Sequence, residues 1–266
     1  MMNNKTKLVI SFGSIIIIGC TISLNKVLAN SIVNINEAES PNVEKEDSVQ
    51  ASAQKASKEL ALLISYKNDE NLILCNKTTL LPDDYIPKNI VESNLPFLSY
   101  IETTKLNKTV ASEAKVMFDA AKNDGINLLG ASGYRSHQVQ INLFNSRVNA
   151  VGKEQALKYS APPGGSEHET GYAIDILSSD YSRLDSGFEN TKAFKWLNEN
   201  AHKYGFILRY PKDKEKITQY NYEPWHYRYV GKNHAKLIKE NKLTLEEYLN
   251  EINKKIDVLQ LSLNGE

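Results

Sequence analysis

Cysteine is scarce in this sequence of 266 residues, which contains only Cys20 and Cys75. If Cys20 is removed or modified, Cys75 has no partner, so the rest of the chain forms no intramolecular disulfide. Net charge is also lacking, because 32 Lys and Arg residues balance 32 Asp and Glu residues. No basic surplus indicates a nucleic-acid partner, and no acidic surplus indicates a solvating tail. Internal repeats are absent as well, so we expect one core of ordinary globular proportions.

The N-terminus does contain a long apolar run, which extends over residues 8–24 and follows Lys5 and Lys7. This layout is typical of a secretory signal. Three outcomes stay open: cleavage after Ala29, retention as a membrane anchor, or lipid attachment at Cys20, where residues 17–20 resemble a bacterial lipobox. We therefore predict a signal peptide or a membrane or lipid anchor over residues 1–29, and a location outside the cytoplasm in a bacterial cell envelope.

Residues 30–58 are rich in Glu, Ser, Asn, Gln and Ala and have only scattered apolar side chains. Such a composition buries little surface, so it predicts a flexible linker with transient helix at most. A folded domain over residues 59–258 and a C-terminal tail over residues 259–266 complete the predicted organisation.

Apolar spacing within the folded domain predicts both helices and short strands. The predicted helices cover residues 110–122, 136–151, 154–159, 191–204, 232–241 and 244–257, and the predicted strands cover residues 72–75, 126–131, 173–177, 206–210 and 225–230. Val139, Leu143 and Phe144 form the expected apolar face of the second helix, whereas His202 and His234 are expected on solvated helix faces. Without regular alternation, these elements predict an α+β fold with a small antiparallel sheet flanked by helices.

Two short segments, residues 166–175 and 223–226, combine histidines and carboxylates with glycine or proline. A catalytic zinc ion commonly binds three side chains drawn from His, Asp and Glu and keeps a fourth position for water. His168, Asp175 and His226 supply such a set. The helical zinc motif H-E-x-x-H is excluded, because Tyr172 stands where its second histidine would be. The pattern therefore predicts a zinc site of a different construction.

The second segment also contains a candidate general base. Pro224 favours an extended conformation for Glu223, which places that carboxylate at the start of the strand that carries His226. Zinc lowers the pKa of bound water to about 7, and a nearby carboxylate can take its proton and pass it to a leaving amine. We predict this role for Glu223.

The pattern S-x-H-x-x-G-x-A-x-D over residues 166–175, followed by E-x-W-H over residues 223–226, resembles the D-alanyl-D-alanine carboxypeptidase family. These zinc metallopeptidases are related to the vancomycin-resistance carboxypeptidases and to L,D-carboxypeptidases. Residues 132–136, Ser-Gly-Tyr-Arg-Ser, and residues 162–164, Pro-Pro-Gly, support the resemblance, which covers roughly residues 72–248.

The resemblance implies the zinc ligands and the general base already named, and it adds further site residues. Arg135 matches the family's arginine that faces the substrate carbonyl and stabilises the developing oxyanion. Gln140 and Ser166 match positions near the terminal carboxylate of the substrate. The expected cofactor is therefore Zn²⁺, with Arg135 serving both catalysis and substrate binding.

The function implied is hydrolysis of the terminal D-alanine from peptidoglycan stem peptides. The bond is either D-Ala-D-Ala in a pentapeptide or diamino acid-D-Ala in a tetrapeptide. Two alternatives stay open, an endopeptidase that cuts within the stem and a non-catalytic module that binds peptidoglycan. A purely structural zinc site is less in keeping with the sequence, because such sites usually have four protein ligands and this one offers three.

Overall fold

The computed structural model describes residues 43–101 and 103–264. The chain divides between Ser52 and Ala53 into two units, and every described strand lies in the second. The helices are α1 Val43–Lys67, α2 Lys108–Asn123, α3 His137–Val151, α4 Lys153–Tyr159, α5 Lys192–Asn200, α6 Glu215–Thr218, α7 Lys232–Asn241 and α8 Leu245–Asn264. The strands are β1 Ile90–Glu92, β2 Lys105–Asn107, β3 Leu128–Ser132, β4 Ala173–Ser178, β5 Phe206–Leu208 and β6 His226–Tyr229. The domain is thus mixed α/β, with helices around small antiparallel sheets as predicted.

The main sheet has four antiparallel strands in the order β3-β4-β6-β5, and β1 pairs with β2 in a separate ribbon. In the main sheet Asp175 pairs with His226, and Ile174 pairs with Tyr227. Because side chains alternate between the two faces of a strand, Asp175 and His226 project from one face. Ile174 and Tyr227 project from the other face, into the core.

Two apolar clusters stabilise the domain. In the larger cluster, α2 contributes Val110, Ala114, Met117 and Ala121, which recur at helical spacing and are fully shielded from solvent. The second cluster lies under α7 and α8. Truncating a buried side chain such as Met117 to alanine typically costs about 2–5 kcal/mol of stability. The strand that carries Asp175 is therefore stabilised by a well-packed core on its opposite face.

The first predicted strand is wrong. Residues 72–75 follow a 3-10 turn, Glu70–Leu72, and do not join a sheet. The guanidinium of Arg228 donates hydrogen bonds to the carbonyl oxygens of Asn71 and Ile73 at 2.9 and 2.7 Å. A buried side chain thus satisfies backbone groups that a neighbouring strand would otherwise bond. The short strands β1 and β2, which do form, were not predicted.

The predicted apolar face of α3 is also wrong in part. Val139 is 44% exposed and Leu143 is 47% exposed, while Gln140 and Phe144 are buried. The helix is therefore rotated relative to the expectation, and it turns a polar side chain inward. His234 was expected in solvent but is buried, where its ring contacts the Tyr248 hydroxyl and Asp69.

The ends of the domain are more helical than predicted. Helix α1 covers residues 43–58 of the predicted linker, and Leu60, Leu63 and Tyr66, spaced three residues apart, pack on the second cluster. Helix α8 continues to Asn264 because Leu259 also packs there. The predictions for residues 1–29 and 30–42 lie outside the described residues. Within residues 43–101 and 103–264, no helix combines the length and apolar character needed to cross a membrane.

Candidate metal centre and active site

His168 lies in the 3-10 turn Glu167–Thr170, immediately before β4. The turn ends at Gly171, whose φ of +75° lies in the left-handed region that favours glycine. A β-carbon there would overlap the Ile90 side chain and lie 3.2 Å from the backbone nitrogen of Asn107. Glycine is therefore required for the chain to pass from His168 into the strand that carries Asp175.

The three predicted metal ligands converge. His226 Nδ1 lies 2.9 Å from Asp175 Oδ1, and His168 Nε2 lies 3.4 Å from Asp175 Oδ2. One ligand atom from each residue lies within 4.8 Å of the others, and all three residues are buried. Two imidazoles and one carboxylate match the donor set of a catalytic zinc site, which leaves a further coordination position open. The arrangement could hold a metal ion.

Hydrogen bonds fix which nitrogen of each histidine faces the centre. His168 Nδ1 lies 2.8 Å from the Gly133 carbonyl, which can only accept, so Nδ1 carries the proton and Nε2 faces Asp175. His226 Nε2 lies 3.4 Å from Glu167 Oε2, which leaves Nδ1 toward Asp175. Metal-binding histidines commonly direct their second nitrogen to a carbonyl or carboxylate in this way.

The pKa values of the two histidines are shifted in opposite directions. Burial and the charge of Arg135 lower the pKa of His168 to about 4. Burial also opposes the charge of His226, but hydrogen bonds to Asp175 and Glu167 raise its pKa to about 9. Although burial opposes its ionisation, the two histidines hold the pKa of Asp175 well below its ordinary value. Without a metal, the centre thus keeps one histidine neutral and holds a proton on the other.

A buried ion network contacts His226 through Glu167. Glu167 Oε1 lies 2.7 Å from Arg209 Nε and 2.7 Å from Arg228 Nη1, and all three side chains are fully shielded from solvent. Arg209 also makes a bidentate contact with Glu246 at 2.8 and 2.6 Å. Burial raises the pKa of Glu167, but the two arginines outweigh it and keep the carboxylate ionised. This network was not predicted from the sequence, where its signal was two arginines inside otherwise apolar strand segments.

Glu223 lies at the edge of the same centre. Its Oε2 is 3.9 Å from His226 Nδ1, and the Glu223 side chain is 24% exposed. Burial raises the pKa of this carboxyl to about 7, against the lowering effect of His226. A carboxyl with such a pKa can both take up and release a proton near neutral pH.

All seven predicted site residues line one cavity of about 340 Å³: Arg135, Gln140, Ser166, His168, Asp175, Glu223 and His226. Arg135 Nε and Gln140 Oε1 are buried and lack a hydrogen-bond partner among the described residues. The amide nitrogen of Gln140 donates to the Ala161 carbonyl at 2.8 Å, which fixes its orientation. The cavity therefore presents one donor and one acceptor that a ligand could satisfy.

Other cavity residues were missed by sequence analysis. Arg147 lies seven residues after Gln140, and this spacing places both on one side of α3. Tyr210 stacks on His226 with ring centres 4.8 Å apart, and Tyr220 stacks on Tyr210 at 4.6 Å. The helical spacing was a usable signal for Arg147, whereas only the fold brings the tyrosines to the centre.

Known proteins resemble this chain over the region that forms the site. Residues 103–232 match the VanY family, D-alanyl-D-alanine carboxypeptidase. The Bacillus subtilis (strain 168) protein YodJ is 46% identical over 196 residues, 72% of each chain. The solved structure of the LdcB LD-carboxypeptidase is 47% identical with a TM-score of 0.65, over 68% of this chain and 86% of LdcB. A vancomycin-resistance D,D-pentapeptidase VanY solved with Zn(II) is 34% identical with a TM-score of 0.57, over 68% of this chain and 99% of that one.

Proposed function

This chain belongs to the VanY family of D-alanyl-D-alanine carboxypeptidases, and from that membership we propose that it is a zinc-dependent enzyme that hydrolyses the terminal D-alanine from peptidoglycan stem peptides. One observation carries the proposal. The cluster of His168, Asp175 and His226 opens into the same cavity as Glu223 and Arg135. A metal-ligand set, a proton acceptor and a cation thus meet where a peptide carbonyl can enter.

The proposed zinc ligands are His168, Asp175 and His226. A zinc ion bound there supplies Lewis acidity, which polarises a carbonyl and lowers the pKa of water. The two histidines are already oriented for this role, because His168 Nδ1 contacts the Gly133 carbonyl and His226 Nε2 contacts Glu167. The Zn(II) in the VanY relative supports the choice of metal.

Glu223 is the proposed general base. Its carboxylate accepts the proton of the attacking water and then donates it to the nitrogen of the leaving D-alanine. The pKa of about 7 suits both steps, because neither proton transfer is then strongly uphill near neutral pH. The partial exposure of the Glu223 side chain leaves it accessible to substrate.

Arg135 is the proposed oxyanion donor. Its guanidinium lines the cavity and its Nε lacks a partner among the described residues, so it is available to a substrate oxygen. One well-placed donor of this kind contributes about 3–4 kcal/mol of transition-state stabilisation. Gln140 and Ser166, with the nearby cation Arg147, are proposed to hold the terminal carboxylate, which restricts cleavage to the last residue.

The preferred bond is the second part of the proposal. The chain is more similar to LdcB, an LD-carboxypeptidase, at 47% identity than to the D,D-pentapeptidase VanY at 34%. This likeness favours the diamino acid-D-Ala bond of a tetrapeptide stem over the D-Ala-D-Ala bond of a pentapeptide.

A peptidoglycan substrate also supports an extracytoplasmic location in the bacterial envelope. The proposed layout keeps residues 1–29 as signal peptide or anchor, with the catalytic domain reaching the cell wall. Export is tested by fractionating cells and locating the protein with an antibody to the domain. Recovery in the cytoplasm with residues 1–29 intact would oppose this part of the proposal.

Mass spectrometry of defined stems tests the activity. The zinc-loaded protein is incubated with a tetrapeptide and with a pentapeptide, beside the Glu223→Gln variant, which keeps the size of the side chain. We expect the tetrapeptide to lose one D-alanine faster than the pentapeptide, and the variant to release none. Cleavage inside the stem would indicate an endopeptidase, and intact stems that bind the zinc-loaded protein would indicate a binding module.

A further inference from the structure

A second cavity of about 310 Å³ lies along β5, the edge strand of the main sheet, and is also lined by residues of α5 and α7. Tyr227 lines it from the face of β6 opposite His226, whereas Ile207, which pairs with Arg228, lines it from the other face of the sheet, so the cavity extends around the edge strand. The two cavities share no lining residue. The walls of the second cavity are mainly apolar, with the side chains of Leu197, Ala201, Phe206, Leu208, Ile238 and Leu243.

A buried hydroxyl in this cavity lacks a partner. The Tyr227 side chain is fully shielded from solvent, yet its hydroxyl makes no hydrogen bond to any described residue. His202 Nδ1, on the wall of the same cavity, is buried and likewise unpartnered within the described part of the chain. Buried polar groups are nearly always hydrogen-bonded in native proteins, so this pair indicates a ligand with polar atoms.

The fully charged side chains that line the cavity all have the same sign. Four of its fifteen lining residues are lysines, and none is acidic. Lys212 and Lys214 are already paired with Glu189 and Glu247. Lys239 donates to Asn198 Oδ1 at 3.2 Å and lies in the field of Glu199, but neither Lys239 nor Lys242 forms an ion pair with another of residues 43–101 and 103–264. Two ammonium groups without an ion-pair partner beside an apolar cavity favour an anion over a neutral or cationic ligand.

We propose that this cavity binds a small amphiphilic anion, with an alkyl body against the apolar walls and an oxyanion near Lys239 and Lys242. An oxygen of the ligand accepts a hydrogen bond from the Tyr227 hydroxyl. The volume lies at the lower end of small-molecule sites, which range over roughly 300–1,000 Å³, so the body is a short chain rather than a whole lipid. This site does not depend on the proposed zinc chemistry.

Isothermal titration calorimetry with octanoate tests the proposal, because this probe has the required charge and apolar body. The purified protein is titrated with octanoate and, separately, with 1-octanol and octylamine. We expect saturable binding of octanoate at one site, weaker at high salt, and at least tenfold weaker binding of the other two. Absence of octanoate binding, or equal binding of 1-octanol, would overturn the anion site.

Two variants locate the binding. Tyr227→Phe removes only the hydroxyl and is expected to weaken octanoate about tenfold, while slightly raising the melting temperature of the free protein because a buried unpaired group is lost. Tyr229→Phe is the matched control, since Tyr229 lies on the same face of β6 but does not line the cavity. Equal affinity of octanoate for both variants would contradict the assignment. The double variant Lys239→Gln, Lys242→Gln should reduce the salt dependence of octanoate binding. An unchanged salt dependence would likewise contradict the proposed anion site.

Discussion

Replacing Glu167 by glutamine removes the carboxylate that pairs with both Arg209 and Arg228. All three side chains are fully shielded from solvent, and each arginine lies 2.7 Å from Glu167 Oε1. The other oxygen of Glu167 lies 3.4 Å from His226 Nε2. The Glu167→Gln variant therefore tests two roles of one residue, the stability of the ion network and the orientation of a proposed zinc ligand.

The expected loss of stability follows from the charges left behind. Breaking a buried ion pair by removing one partner typically costs about 3–5 kcal/mol, because a buried charge stays uncompensated. Arg209 keeps Glu246, whereas Arg228 keeps backbone carbonyls and the face of the Tyr172 ring but no carboxylate. We expect the free energy of unfolding to fall by about this amount, which lowers the melting temperature of a domain of this size by roughly 6–20 °C. Zinc affinity should fall about 10- to 100-fold, as is usual when the hydrogen-bond partner of a metal ligand is removed.

Circular dichroism melts of the zinc-free protein and zinc titrations against a competing chelator measure the two effects separately. Glu246→Gln is the matched control, because Glu246 contacts Arg209 but not His226, and its side chain is 14% exposed. The control should lose stability while keeping the zinc affinity of the parent. If Glu167→Gln melts like the parent and binds zinc as tightly, the assigned role of the network is refuted.

Three further predictions follow from the electrostatics of the centre. Burial raises the pKa of Glu223 to about 7, and the base must be ionised, so kcat/KM should fall as the pH falls. The acid limb of the pH-rate profile should lie at or below about pH 7, because a bound cation lowers this pKa further. A limb well above pH 7 would contradict the assignment. His226 holds a proton with a pKa of about 9, so zinc binding at pH 7 should release at least one proton, measured by calorimetry in buffers of different ionisation enthalpy, and zero release would refute the assigned protonation. Arg135→Met should lower kcat by about 10²–10³-fold without weakening zinc binding, since it removes a cation beside His168, and steady-state kinetics showing only a raised KM would instead assign Arg135 to ground-state binding.

The candidate site was more predictable from sequence than the details of the fold. His168, Asp175, Glu223 and His226 stand in short segments whose glycine and proline fix the local chain, and the structure brings all four together. Such local constraints are visible in a single sequence, because residue type and spacing carry them. The roles of these residues stay predictions until the variants are measured.

Long-range contacts explain what the sequence analysis missed. The backbone at Asn71 and Ile73 is bonded by Arg228, 155 or more residues away, so no local pattern could distinguish it from a strand. The rotation of α3 has a similar cause, since Gln140 turns inward to reach the Ala161 carbonyl. Both errors arise where a polar contact outweighs apolar periodicity.

Anomalous diffraction at the zinc edge, from crystals of the zinc-loaded protein, tests the central claim most directly. The account predicts one strong peak about 2.0–2.2 Å from His168 Nε2, a carboxylate oxygen of Asp175 and His226 Nδ1. A peak bound through His226 Nε2, a peak elsewhere in the molecule, or no peak at this cluster would contradict the proposed metal centre.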